Sequence, residues 1–190
     1  MNINNLLAHL ESFHPLSDEF KKFLTENAIP LSFPKRHILL DVLKVASHVY
    51  FLNEGFAMSY TLSADGKITE NFWKPGQIVV AFESFFEQKP SMEVIQLLKP
   101  SQLLAISHET TEQLLARFPE ARSLSRTMMY WHYAHVRRRL QSMKSSDHAE
   151  QYNKLLRIFP DLELIVSQRA IATYLGIAPQ SLARIRRKTE

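Results

Sequence analysis

The chain has 190 residues and no cysteine, which excludes disulfides, thiolate zinc sites, cysteine-ligated iron–sulfur clusters and a cysteine nucleophile. Its 45% hydrophobic content is ordinary for a soluble domain, and a formal charge of +4 suits a polyanionic partner without demanding one. The opening MNINNLLAHLESFHPLSDEF lacks the basic lead and apolar run of a signal peptide, and no stretch is long enough for a transmembrane helix, so a cytoplasmic protein without a membrane partner is expected.

Residues 4–12 and 17–28 read as two amphipathic helices separated by His14-Pro15, with Ser17 as N-cap and Asp18 and Glu19 in the first turn. From Ile29 to Ser107 short apolar runs alternate with turn signals: RHILLDV, VASHVYFLNEG, FAMSYTLSADGK, ITENFWKPG, QIVVAFESF, MEVIQLLKPS and QLLAIS. Asp65-Gly66 suits a hairpin turn. Asn53-Glu54-Gly55, Lys74-Pro75-Gly76 and Lys99-Pro100-Ser101 mark further turns. Short strands at regular spacing imply a small antiparallel roll or barrel, and with the helices around it an α+β chain.

After Ser107 the helical period returns. HETTEQLLARF is one short helix, and Pro119 opens a long one over residues 119–144. Two apolar rows run along it at heptad spacing: Ala121, Leu124, Met128, Trp131, His135, and Met129, Tyr133, Val136, Leu140, Met143. Such a helix packs on its own domain with one face and on a partner helix with the other; the alternative is a helix buried between two domains of one chain. Arg137, Arg138 and Arg139 span too much of the circumference for one binding face and read as a solvated collar. Ser145-Ser146-Asp147 reads as a stop, a linker and a new N-cap, followed by a helix over 147–159 that ends at Pro160.

The strongest signal is SQRAIATYLGIAPQSLARIRRKTE, residues 167–190. Ser167 is a fair N-cap, and Ala170, Ile171, Tyr174 and Leu175 share a stripe. Gly176 stands where a left-handed stop is needed, and Pro179 suits the first turn of a second helix. Leu182 and Ile185 turn inward, while Gln180, Ser181, Arg184, Arg187 and Lys188 project outward. Four cationic side chains, Arg184, Arg186, Arg187 and Lys188, face the single Glu190 over this second helix. One or two are expected at a helix C-terminus for dipole reasons alone; four beside such a corner describe a recognition helix for a major groove.

A β-rich roll, one long helix and a terminal helix-turn-helix resemble the Crp/Fnr (cyclic-AMP receptor protein) superfamily of bacterial transcription regulators. The resemblance is carried by IATYLGIAPQSLARIRRK, by SSDHAEQYNKLLRIFPDL before it, and by LNEGFAMSYTLSADGK, which is similar to the glycine turn and hairpin of a cyclic-nucleotide-binding domain. It implies a cyclic-nucleotide-binding-like double-stranded β-helix over residues 1–118, a dimerisation helix over 119–145 and a winged-helix type helix-turn-helix over 146–190. The chain stops at Glu190, so the strands of a second wing are expected to be missing. Implied partners are double-stranded DNA, a second copy of the chain, an effector of unassigned identity and RNA polymerase; no cofactor is implied.

The implied DNA-facing set is Ser167, Gln168, Gln180, Ser181, Arg184, Arg186, Arg187 and Lys188, with base contacts from Gln180 and Arg184 and phosphate contacts from Ser181, Arg186, Arg187 and Lys188. Dimerisation is assigned to Leu124, Met128, Trp131 and His135, although the sequence leaves open which face pairs. The implied effector pocket comprises Trp73, Val80, Ala81, Phe82, Ser91 and Met92. Ligand-binding members of the family carry Gly-Glu-Leu and Arg-Ser-Ala in a phosphate cassette; here those positions read Val80-Ala81-Phe82 and Ser91-Met92-Glu93, with no arginine between Lys89 and Lys99. A cyclic phosphate facing Glu93 without a guanidinium would be repelled, so cyclic-AMP binding by the usual mode is not expected. Phe82, Phe85, Phe86 and Trp73 are expected either to fill the pocket as core, the favoured reading for an aromatic cluster, or to bind something apolar.

Two other readings stand beside this one. A cupin-like barrel enzyme would need converging histidines, and the roll holds only His37 and His48, without a His-X-His pair. A protein-interaction sensor that binds no DNA is the other.

Overall fold

The computed structural model describes residues 2–143 and 147–189, with the side chains of Met143, Lys188 and Thr189 outside that description. The expected linker at Ser145-Ser146 and the expected outward side chain of Lys188 therefore lie outside the described residues, as does Glu190.

Helices α1 (Ile3–Glu11) and α2 (Asp18–Asn27) open the chain. Asn2 caps the first by accepting from the Asn4 N–H, and Ser17 Oγ caps the second by accepting from the Phe20 N–H. Leu6 and Leu10, then Phe20 and Leu24, recur at i, i+4 and bury one face of each helix.

The roll follows, with strands β1 (Ile29–Phe33), β2 (Ile38–Leu40), β3 (His48–Glu54), β4 (Ala57–Ser63), β5 (Gly66–Trp73), β6 (Ile78–Val79), β7 (Glu93–Leu97) and β8 (Ser101–Ser107). They form two antiparallel sheets in the orders β1-β8-β3-β6 and β2-β7-β4-β5. Leu52, Val79, Ile95, Leu97 and Leu103 fill the space between them. The β3–β4 turn needs Gly55, whose φ is 109°: a Cβ there would stand 2.8 Å from Ser101 Cα, against backbone that cannot yield.

One expected strand is mostly a helix. The run QIVVAFESF gives only β6 before α3 (Phe82–Glu87) begins. Phe82, Phe85 and Phe86 stand at i, i+3 and i+4, and α3 drives Phe85 into the core between the sheets.

The rest is helical: α4 (His108–Arg117), α5 (Pro119–Met143), α6 (His148–Ile158), α7 (Leu162–Ile165), α8 (Gln168–Leu175) and α9 (Pro179–Thr189). The start of α5 is built into its own domain, where Ala121 and Leu124 pack with Leu6, Phe20 and Phe118. Leu124 is 3% exposed, which removes it from the expected dimer row. Along that row Met128 and His135 are half-buried and Trp131 is exposed. The opposite row, Met129, Tyr133, Val136 and Leu140, faces solvent. α6 to α9 lie on the second sheet, where Leu155, Phe159, Ile171 and Leu175 meet Phe56, Phe72 and Val94. The short stretch before the helix-turn-helix is α7, so no strand precedes α8 there.

Candidate nucleic-acid interface and sensor cavity

The helix-turn-helix is assembled from local signals. Ser167 Oγ accepts from the Ala170 N–H and so starts α8. Gly176 ends it in the left-handed region, φ 69° and ψ 28°. The Ile177 N–H then reaches back to the Ala172 carbonyl at 3.0 Å, the six-to-one bond of a glycine-terminated helix. Leu182, wholly buried, pins α9 across α8 against Ile171 and Leu175.

On α9 the residues at i, i+4 and i+7, Gln180, Arg184 and Arg187, are exposed and form one outward face, with Ser181 half-buried beside it. Arg186 is not part of that face. Its Nε lies 2.7 Å from Glu163 Oε1, which also accepts from the Tyr152 hydroxyl at 2.6 Å. Burial and then this carboxylate push the Tyr152 phenol up to about 12. The expected phosphate ligand Arg186 is thus a tie between α9, α7 and α6. Ser167 spends its hydroxyl on the cap, and Gln168 is exposed next to it.

The module is fastened to the roll through β5. Thr173 Oγ1 accepts from the Thr69 N–H and donates to Thr69 Oγ1, both at 3.2 Å. Tyr174 packs on Phe72 with centroids 5.0 Å apart. Arg169 donates to the Asp65 carbonyl in the hairpin, a contact with no signal in the sequence.

Beneath β4, β5, α3, β7 and the middle of α5 lies a cavity of about 520 Å³. All six residues expected to form an effector pocket line it. Trp73, Val80, Ala81 and Ser91 are buried, whereas Met92 is exposed at the opening. The Phe82 ring stacks on His132, centroids 3.9 Å apart.

The cavity also contains an arginine, which corrects the reading of residues 137–139 as a solvated collar. Arg139 is only 17% exposed: Nη1 binds Glu70 Oε2 at 2.7 Å and the Glu70 carbonyl at 2.8 Å, Nη2 binds the Thr69 carbonyl at 2.8 Å, and the guanidinium lies 5.1 Å from the Tyr174 ring centre. Continuing the row through His135 by four residues lands on Arg139, a signal the sequence did contain. Thr61 Oγ1 occupies the other Glu70 oxygen. This guanidinium is therefore already neutralised and does not replace a phosphate-binding arginine.

Glu93 also lines the cavity. Burial above all, with the neighbouring Glu70 and Glu83 carboxylates, raises its pKa, and the Ser59 hydroxyl, nearby but outside hydrogen-bond geometry, opposes the rise. Burial lowers His132 and, with Arg139 next, His135. Among the described residues no three histidine or acidic side chains cluster as a metal site, and no helix is long and apolar enough to cross a membrane. His37 instead stacks on Phe33, and His48 Nδ1 meets Ser47 Oγ.

Comparison with known proteins places this geometry. Residues 30–118 match the cyclic nucleotide-binding domain family. No curated protein matches the sequence. Among solved structures, the c-di-GMP responsive global regulator CLP of Xanthomonas campestris superposes with a TM-score of 0.70 at 14% identity, covering 91% of each chain. FixK2 of Bradyrhizobium japonicum gives 0.69 at 18% identity over 85% of this chain and 83% of its own. The catabolite activator protein of Thermus thermophilus gives 0.58 at 17% identity over 95% and 85%. The chain thus has the Crp/Fnr-type fold, with residues 30–118 matching the cyclic nucleotide-binding domain within it.

Proposed function

We propose that the protein is a sequence-specific, DNA-binding transcriptional regulator that acts as a homodimer and has no catalytic activity. One observation carries the reading: Gln180, Arg184 and Arg187 stand exposed on a single face of the second helix of a helix-turn-helix. Glutamine matches the adenine edge and arginine the guanine edge of a major groove, and an exposed arginine suits a phosphate equally. Two such helices would enter successive grooves about 34–36 Å apart. The exposed row on α5, with Tyr133 at 62% and Leu140 at 56%, supplies an apolar surface for pairing of the kind a coiled-coil seam uses.

Selection of bound sites from randomised duplex DNA tests the reading, with sedimentation of the protein and of a Tyr133→Glu, Leu140→Glu variant alongside. A palindromic consensus with two half-sites, bound by a dimer that the variant loses, is the expected result. A monomer that retains no duplex at low salt would overturn it.

A further inference from the structure

The 520 Å³ cavity is within the size range of small-molecule sites, about 300–1,000 Å³. Its polar groups are incomplete. Ser59 Oγ, His135 Nε2 and Arg139 Nε are buried without a hydrogen-bond partner among the described residues, and all three residues line the cavity; Ser59 is wholly buried. Buried polar atoms in folded proteins are nearly always satisfied, so three orphans around one space mark a place where a further molecule belongs.

The charge of the lining selects that molecule. Among the described residues, Glu70, Glu83 and Glu93 face the cavity against the one cation Arg139, whose charge Glu70 already holds. His132 and His135, desolvated, add no positive charge at neutral pH. An entering anion would meet the buried Glu93 carboxylate and Glu83 beside it, for which the only nearby cation among the described residues outside the lining is Lys89, already bound to Glu87, whereas an entering cation would relieve them. The Trp73 and Phe82 rings complete the wall, and aromatic faces attract cations as well as apolar bodies.

We propose that this cavity binds a small organic cation, a protonated primary amine on an aromatic or apolar body, with the ammonium held by Glu93 and Glu83. The body lies along Trp73 and Phe82, and a hydroxyl or carbonyl on it meets Arg139 Nε and His135 Nε2. The proposal rests on the regulator reading only for the use of the ligand, as an effector.

Calorimetric titration of the full chain tests it, with tyramine, with tyrosol, in which a hydroxyl replaces the ammonium, and with cyclic AMP. Tyramine is expected to bind at least roughly tenfold more tightly than tyrosol, with cyclic AMP weakest. Glu93→Gln is expected to close most of that gap, and Glu83→Gln, at an exposed position where folding is not at stake, to narrow it. Tyrosol or cyclic AMP binding as tightly as tyramine, no tyramine binding at millimolar concentration, or a gap that neither substitution narrows would overturn the proposal. DNA binding without tyramine binding defeats this proposal alone, and the converse defeats the regulator reading alone.

Discussion

On α9, Arg184 and Arg187 point into solvent, while under the roll Arg139 is folded inward and held by Glu70, two backbone carbonyls and the face of Tyr174. Arg186 lies between these extremes, half-buried and bound to Glu163. The same side chain thus does three jobs in one molecule, and what separates them is the local supply of acceptors. An arginine surrounded by its own chain's oxygens has become part of the scaffold; one without them remains available to a polyanion.

Three substitutions probe this contrast. Arg139→Ala strands the Glu70 carboxylate and empties a wall, and is expected to cost about 2–3 kcal/mol of stability by denaturant titration, less than a fully buried pair because Glu70 is 34% exposed. A loss within about 0.5 kcal/mol would show that the inward arginine is ornamental to folding. Arg184→Ala is expected to leave stability unchanged, yet to weaken binding to the selected site by about 1–3 kcal/mol and relax the preference at one base pair. Unaltered preference over a set of operator variants would remove Arg184 from base reading. Arg186→Ala, which unties α9 from α7, is expected to cost about 1 kcal/mol of stability.

The smallest effect concerns Glu93. Its folded pKa is raised, so the folded state holds the proton more tightly than the unfolded chain, and stability falls as pH climbs from the unfolded value through the folded one. Glu93→Gln is accordingly expected to melt higher than the parent at neutral pH. The two curves should converge in acid, near the ordinary glutamate value of about 4.3 and below. A constant offset at every pH would point to packing rather than charge.

These regions also differ in how far the sequence alone discloses them. Residues 167–189 carry their own instructions within a few positions: the Ser167 cap, the left-handed Gly176, Pro179 in the opening turn and the inward Leu182. The cavity has no such economy. Trp73, Val80, Ala81, Phe82, Ser91 and Met92 could be gathered through the likeness of the hairpin and cassette to a known family, but Arg139 and Glu70 are 69 residues apart, and nothing near either announces the other. Arg186 and Glu163 are a milder case of the same problem. The α3 segment was ambiguous for a different reason: Val79, Val80, Ala81 and Phe82 satisfy a buried strand, while Phe82, Phe85 and Phe86 satisfy a helix, and the helix wins because it seats Phe85 in the core. Of the two rows on α5, heptad spacing could not say which faces inward; the packing of Leu124 beneath α1 and α2 decides it.

β5 is the outermost strand of its sheet, and Thr173 on α8 takes up its Thr69 N–H. The helix-turn-helix therefore doubles as a lid over an open β rim. A copy whose module swung away would bare main-chain donors and acceptors to which another chain could add a strand. Staying attached thus shields this edge from strand addition by another chain, and any movement that gives α9 a new orientation has to keep that rim sheltered while it happens.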